Sequence, residues 1–157
     1  SCATAGKIKS NVFFDNTYPF AIEFPKNYDV SAQPSKSIQR VVAIIGGDKL
    51  TPYVKPMFIV SISLSGKKLD ELIDTERDKH FEPRYYVGCV IENEENIDIH
   101  GLEGYIVYYG GSANKATTVL IRNRGYFIKI EYIADSRYYN EGDLTKILSG
   151  ITFTQEP

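Results

Sequence analysis

Residues 116–134 read ATTVLIRNRGYFIKIEYIA, two runs of β-branched and aromatic residues that flank a short polar turn. Such residues favour strands, and the pattern predicts strands over Ala116–Asn123 and Tyr126–Ala134. The Asn123-Arg124-Gly125 turn between them is typical of a tight hairpin, in which we expect Gly125 to take the positive φ. Consecutive hairpins place neighbouring strands antiparallel, so the sequence predicts an antiparallel sheet.

Five further segments have the alternation or composition of strands. Apolar residues at every second position indicate one buried side, as at Phe20, Ile22 and Phe24, after which Pro25 ends the run. Gly104 interrupts another run and indicates a bulge. The predicted strands are Tyr18–Phe24, Ser37–Ile45, Met57–Leu64, Val87–Glu92 and Ile97–Gly110, and a polar loop is predicted over Ser31–Ser37.

Two segments have the apolar spacing of helices. One runs from Leu69 to about Phe81 and carries acidic residues in its first turn, where the helix dipole favours them. The other covers about Glu141–Ser149, with Gly150 as its C-terminal cap. Because most strands lie between them, the helices need not share a face of the sheet. We expect an α+β fold, an antiparallel β-sheet flanked by helices on both faces, with one domain over residues 11–157 behind a tether of residues 1–10.

The composition excludes several classes of protein. The chain has 157 residues, and 18 Lys and Arg against 20 Asp and Glu give a formal net charge of −2. This balance lacks the basic surface that binds nucleic acid or anionic membranes, so no nucleic-acid partner is expected. The 2 cysteines exclude a disulfide scaffold. No run approaches the roughly 18 apolar residues of a transmembrane helix.

The first residues, Ser1-Cys2, look like the end of a bacterial lipoprotein cleavage box, in which a small residue precedes the cysteine that receives the lipid. Cys2 is therefore the predicted lipid attachment site and the membrane contact. The alternative is that Ser1 is foreign to the native chain and Cys2 is an ordinary thiol. Cys89 lies in a β-like run and is expected to be a buried thiol. A Cys2–Cys89 disulfide would use the same sulfur and would exclude lipidation.

Several motifs in a fixed order resemble one known family. The run YPFAIEFPKNY at residues 18–28 is an aromatic-led strand, a proline and another aromatic residue. Gly104–Tyr109 then precedes the hairpin, and a helix ends in ILSGITF at residues 147–153. Together these motifs resemble the PsbP-like domain family over residues 12–154. The chain is shorter than the family's photosynthetic subunit, and Tyr28 stands where a tryptophan is common.

The resemblance implies a central antiparallel sheet with helices on both sides. The family's best-known member supports the oxygen-evolving centre of photosystem II, and many bacterial members are secreted proteins or lipoproteins. None of these precedents is a catalyst with a defined active site, so the resemblance implies a non-enzymatic role. Because a fold does not determine a function, the resemblance leaves any link to photosynthesis open.

One group of residues has the chemistry of a metal site. Asp98 and His100 are two positions apart, so on a strand both would point to one face, as two ligands should. With Glu92, Glu94 and Glu95 they offer the oxygen and imidazole ligands that Ca²⁺, Mn²⁺ or Zn²⁺ take. The same acidic run is also typical of a solvated hairpin turn, and we expect no cofactor.

Nothing in the sequence indicates a catalytic residue. Ser112 lies in a glycine-rich turn, but Asn114 stands where a nucleophile elbow needs glycine. The Gly46-Gly47-Asp48-Lys49 stretch precedes no helical pattern and lacks the spacing of a phosphate-binding loop.

The composition is unusual in its twelve tyrosines, and six of them form adjacent pairs. The pairs are Tyr85-Tyr86, Tyr108-Tyr109 and Tyr138-Tyr139. Tyrosine suits half-buried sheet positions, which would explain the pairs structurally. Neighbours in a strand point to opposite faces, however, so one member of a pair can be exposed. Tyrosine is enriched at interfaces, and the pairs are therefore a candidate binding surface.

We expect a non-enzymatic extracytoplasmic lipoprotein, periplasmic or at the cell surface, that acts as a protein-binding or assembly module with an unidentified protein partner. The alternative is a module that binds a small ligand or glycan in a Tyr-lined cleft between sheet and helix. A flat exposed tyrosine patch would favour the first function and a concave aromatic pocket the second. A metal-dependent enzyme around Asp98 and His100 ranks third.

Overall fold

The computed structural model describes residues 7–15, 17–18, 20–33, 38–45, 55–78 and 89–153. In this part of the chain, strands dominate and form two antiparallel sheets, accompanied by two helices. The strands are β1 (Lys7–Lys9), β2 (Val12–Asp15), β3 (Phe20–Glu23), β4 (Tyr28–Ala32), β5 (Ile38–Ile45), β6 (Met57–Leu64), β7 (Val90–Ile99), β8 (Leu102–Gly110), β9 (Asn114–Asn123), β10 (Tyr126–Asp135) and β11 (Ile151–Phe153). The helices are α1 (Leu69–Asp78) and α2 (Glu141–Ser149).

The larger sheet has seven strands in the order β4-β5-β6-β10-β9-β8-β7. The predicted hairpin is confirmed, since β9 and β10 pair from Asn123↔Tyr126 to Asn114↔Asp135. The expected role of Gly125 is wrong, because Arg124 takes the left-handed conformation with φ 51°. The register leaves two residues in the loop, and such a loop needs a positive φ at its first position, which Arg124 occupies.

The next hairpin differs from its prediction. The sequence suggests a break after Glu92, but β7 continues to Ile99 and turns into β8 through His100 and Gly101. Polar residues at 92–96 resemble a turn because β7 is the edge strand of the sheet and is largely exposed. The bulge expected at Gly104 lies instead between Ile91 and Asn93. Gly104 is close to the neighbouring strand, and a Cβ there would lie 2.9 Å from the Leu120 carbonyl oxygen.

The smaller sheet has four strands in the order β1-β2-β3-β11. β3 is shorter than the predicted strand Tyr18–Phe24 and pairs with β11, with Phe20 opposite Phe153. β1 lies within the segment predicted as a tether, and the division at residue 10 stays a prediction. Ser31 and Ala32 of the predicted loop belong to β4, and residues 34–37 lie outside the described residues.

The predicted sandwich, with helices on both faces of one sheet, is wrong. One face of the larger sheet is covered by α1 through Leu72 and Ile73. The other face packs against the second sheet, with Leu144 and Ile147 of α2 beside it. The second sheet contributes Phe13, Phe20, Ile22 and Ile151 to this core. A helix of 9 or 10 residues is about 15 Å long, whereas seven strands span about 29 Å, so helices this short leave much of each face to other elements.

Local signals place α2 as predicted. The Asn140 side chain accepts a hydrogen bond from the Gly142 amide at 2.9 Å, and the Gly150 amide donates to the Lys146 and Ile147 carbonyls. α1 begins at Leu69 as predicted and is described as far as Asp78. Among the described residues no helix is long and apolar enough to cross a membrane.

Candidate functional site

A groove of about 370 Å³ lies between α2 and the β7–β8 hairpin, and we name it the α2 groove. Its volume falls in the range of roughly 300–1,000 Å³ that is typical of small-molecule sites. The residues that line it are Ile97, Asp98, Ile99, His100, Ile106, Tyr108, Thr145, Leu148 and Ser149.

The floor of the α2 groove follows from strand alternation. Residues two apart on a strand share a face, which places Ile97 with Ile99 on β7 and Ile106 with Tyr108 on β8. Ile99 and Ile106 are buried, whereas Tyr108 is half-buried and packs at the margin of the core. The groove therefore has an aliphatic floor and one aromatic wall.

His100 connects the hairpin to the helix at one end of the groove. Its backbone is left-handed, with φ 53°, and its Nε2 lies 3.2 Å from the Leu148 carbonyl oxygen. Asp98 accepts a hydrogen bond from the Gly101 amide at 3.0 Å and so fixes the turn. Both polar side chains thus have local structural contacts that shape the groove.

The geometry expected of a metal site differs from the one observed. His100 follows the end of β7, so it does not share a strand face with Asp98 as we expected. Glu94 of the same predicted group is held by Arg77, with 2.6 Å between its Oε1 and the guanidinium. Within the described ranges, no three His, Cys, Asp or Glu side chains are grouped to hold a metal ion, and metal binding at Asp98 and His100 stays a prediction.

A smaller cavity of about 40 Å³ lies on the other side of Tyr108, toward the start of α2. Glu92 and Glu141 line it together with Tyr139. The bulge in β7 gives Glu92 its position, since bulges redirect side chains. The Glu92 carboxylate occupies the space above Gly110, where a Cβ would collide with it.

Burial and nearby carboxylates perturb the two tyrosines of this region. Burial raises the pKa of Tyr108, and the charges of Glu95 and Glu141 raise it further. Burial also raises the pKa of Tyr139 to about 12, although its hydrogen bond with the Thr117 hydroxyl opposes the shift. Both phenols are therefore neutral hydrogen-bonding groups at physiological pH.

The six paired tyrosines do not form one surface. Tyr85 and Tyr86 lie outside the described residues. Tyr109 is buried under α1, where its hydroxyl donates to the Glu76 carboxylate at 3.2 Å. Tyr138 lies in the connection between β10 and α2 and is 40% exposed. Of the paired tyrosines that the structure describes, Tyr108 lines the α2 groove, and Tyr108, Tyr109 and Tyr139 line the smaller cavity.

A second polar cluster lies on the α1 face of the sheet. Arg77 donates to Glu94 and, at 2.9 Å, to the Tyr105 hydroxyl. The guanidinium hydrogen bond lowers the pKa of Glu94, and the carboxylate raises the pKa of Arg77. These contacts tie α1 to β7 and β8, and we assign them a structural role.

Of the two cysteines, Cys2 lies outside the described residues, so its lipidation stays a prediction. Cys89 is a free buried thiol whose Sγ donates to the Asn114 carbonyl at 3.5 Å. This confirms the predicted buried thiol. Burial raises the pKa of Cys89, and the charge of Glu92 adds to the effect.

Sequence reasoning missed the residues that α2 contributes to the groove. Thr145, Leu148 and Ser149 line it, yet their spacing only indicates a helix. Their partner elements, β7 and β8, lie about 40 residues earlier in the chain. The sequence places Leu148 in the apolar stripe of α2, but only the structure shows that this residue is partly buried and lines the groove.

Comparisons of the sequence with known families and curated proteins found no relative. No protein-family model matches the chain. No curated protein matches it in sequence either.

Solved structures do match. The solution structure of cyanobacterial PsbP (CyanoP) from Synechocystis sp. PCC 6803 is similar with a TM-score of 0.61 at 16% identity, and the match covers 98% of each chain. A crystal structure from Bacteroides thetaiotaomicron VPI-5482 has a TM-score of 0.58 at 8% identity and covers 95% of this chain and 50% of that one. The Pseudomonas aeruginosa protein PA94, of unknown function, has a TM-score of 0.53 at 12% identity and covers 92% and 90%.

These likenesses, at such low identities, concern the fold alone. They confirm the resemblance drawn from the motifs, and the chain has a PsbP-like fold.

Proposed function

We propose that this protein is a non-enzymatic binding module that holds a ligand in the α2 groove. The observation that carries the proposal is the groove itself, with its aliphatic floor and the aromatic wall formed by Tyr108. Concave sites that are largely apolar, with a few polar groups, are typical of ligand binding. His100 and Ser149 supply such polar groups at one end.

The positions of the tyrosines favour a concave site over a flat contact patch. Tyr108 and Tyr139 are half-buried beside α2, and Tyr109 lies on the opposite face of the sheet. A flat tyrosine surface would need these rings side by side and exposed. The alternative function expected from the sequence, small-ligand or glycan binding in a cleft between sheet and helix, therefore becomes the first proposal.

A matched pair of threonine variants tests the groove. Thr145 and Thr75 are both exposed helix residues whose hydroxyls donate to the carbonyl four residues earlier, at 3.0 and 2.9 Å. Thr145→Trp fills the α2 groove, whereas Thr75→Trp alters α1 away from it. We expect fragments of aromatic, aliphatic and saccharide type that bind the wild-type protein in saturation-transfer NMR to be lost with Thr145→Trp and kept with Thr75→Trp. Fragments that bind Thr145→Trp unchanged would overturn the proposal.

We also propose that the protein is an extracytoplasmic lipoprotein, periplasmic or at the cell surface, anchored through Cys2. The support is the Ser1-Cys2 pattern of the sequence. One acyl chain gives only marginal membrane binding, so we expect several chains on Cys2. Intact-mass measurement of protein extracted from its native membranes tests this, and an unmodified Cys2 would contradict it.

A protein partner at the membrane is the second candidate function, and one end of the larger sheet favours it. Tyr138 is 40% exposed with Arg137 stacked over its ring, and Val90 is 66% exposed at the same end of the sheet. Tyrosine and arginine are enriched in interface cores. Cross-linking from position 138 in native membranes should then yield one dominant partner, and capture equal to that from exposed position 67 would argue against this candidate.

A further inference from the structure

We infer that the α2 groove selects an organic cation, a ligand with a primary ammonium or guanidinium group on an apolar body. This inference rests on the proposed function, since it names the ligand class of the same groove. The apolar body would lie on the floor formed by Ile97, Ile106 and Leu148. The cationic group would lie at the Tyr108 end, because Tyr108 lines both the groove and the smaller cavity.

Three carboxylates, two from β7 and one from α2, lie in the region of Tyr108. Glu92 and Glu141 line the cavity next to its ring, from β7 and α2 respectively. Glu95 pairs across the strands with Ile106, so it lies on the groove face of the hairpin. The charges of Glu95 and Glu141 act on the Tyr108 hydroxyl strongly enough to raise its pKa, which supports this placement.

The negative charge of these carboxylates is only partly balanced by cationic side chains at this end of the groove. Within the part of the chain that the structure describes, Glu92, Glu95 and Glu141 form no ion pair. Lys115 also lines the smaller cavity, and its single charge leaves two of the three carboxylates unbalanced. A bound cation would neutralise this excess beside the three exposed carboxylates, through an attraction that salt screens.

The aromatic wall suits the same ligand. A tyrosine ring attracts an ammonium or guanidinium group within about 6 Å of its centroid. Tyr108 combines this property with a hydroxyl that has no hydrogen-bond partner among the described residues. The same carboxylates would repel an anionic ligand, and they would give a neutral ligand no electrostatic attraction.

Three probes that share a phenylethyl group and differ in charge test the inference. Phenethylamine is protonated at neutral pH, 2-phenylethanol is neutral and 3-phenylpropanoate is anionic, and each is titrated against the wild-type protein by NMR. We expect the ammonium probe to bind about tenfold more tightly than the alcohol, with the carboxylate weakest. Added salt should weaken the ammonium probe and leave the alcohol unchanged.

Charge-removing variants locate the cation. Glu95→Gln and Glu141→Gln should each weaken phenethylamine several-fold without changing 2-phenylethanol. Glu103→Gln is the matched control, because Glu103 is exposed on the opposite face of β8. If the three probes bind with equal affinity and Thr145→Trp still abolishes their binding, cation selectivity is overturned. The groove then remains a binding site. Failure of all three probes to bind would overturn the inference and count against the proposed function as well.

Discussion

Tyr139 and Tyr138 are adjacent in the sequence but differ in burial and in hydrogen bonding. The Tyr139 hydroxyl is hydrogen-bonded to Thr117, which is fully buried, whereas Tyr138 is 40% exposed. Tyr139→Phe leaves the Thr117 hydroxyl without this partner, and an unsatisfied buried group costs about 1–3 kcal/mol. Urea unfolding should therefore show a loss of this size for Tyr139→Phe and almost none for Tyr138→Phe. Equal losses in the two variants would contradict the contact.

Cys89 is the second residue whose chemistry depends on its surroundings. Cys89 is 6% exposed and burial raises the pKa of its thiol, so both reagent access and the thiolate population are low. In a Cys2→Ser variant, which leaves one thiol, we expect very slow reaction with Ellman's reagent in the native protein and rapid reaction in denaturant. Native labelling at the rate of an unstructured peptide would contradict the burial of Cys89.

At the scale of elements, α2 depends on its N-terminal cap and also forms one wall of the groove. The Asn140 side chain accepts from the Gly142 amide at 2.9 Å, and removal of such a cap typically costs about 1 kcal/mol. Asn140→Ala should lower the free energy of unfolding by this amount in a urea titration. Asn93→Ala on the exposed edge strand is the control, and we expect it to have little effect.

Elements whose signals are local could be predicted from the sequence. The limits of β5, β6 and α2 follow from alternation, apolar spacing and caps. The full length of β7 could not be predicted, because an edge strand that faces water lacks the apolar alternation on which the prediction depends. β1 and β2 were missed as well, since strands of 3 and 4 residues are too short to show a period.

At the scale of the whole molecule, the second sheet and the α2 groove could not be predicted from the sequence. β3 and β11 pair although about 130 residues separate them, and no local pattern specifies such a partner. The groove has the same origin, since it exists only where α2 meets the β7–β8 hairpin. The PsbP-like fold could be inferred because the order of its motifs is itself a property of the chain.

Buried tyrosines make the stability of the whole domain sensitive to alkaline pH. Burial raises the pKa of Tyr28, Tyr109 and Tyr132, and raises that of Tyr139 to about 12. The unfolded chain releases these protons near pH 10, so above that pH the folded state binds more protons and loses stability as pH rises. Each such tyrosine contributes up to about 1.4 kcal/mol per pH unit.

Urea unfolding at increasing pH checks this expectation. The free energy of unfolding should be nearly constant just below about pH 10 and fall above it, less steeply in Tyr139→Phe. A flat profile through the same range would contradict the burial of the phenols.

The most direct test of the binding site is a map of amide chemical shifts on the isotope-labelled wild-type protein during a phenethylamine titration. We expect the perturbed amides to lie in Ile97–His100, in Ile106–Tyr108 and in Thr145–Ser149, the three segments that line the α2 groove. Perturbations centred on α1 and Tyr105, on the opposite face of the sheet, would contradict the assignment of this groove as the binding site.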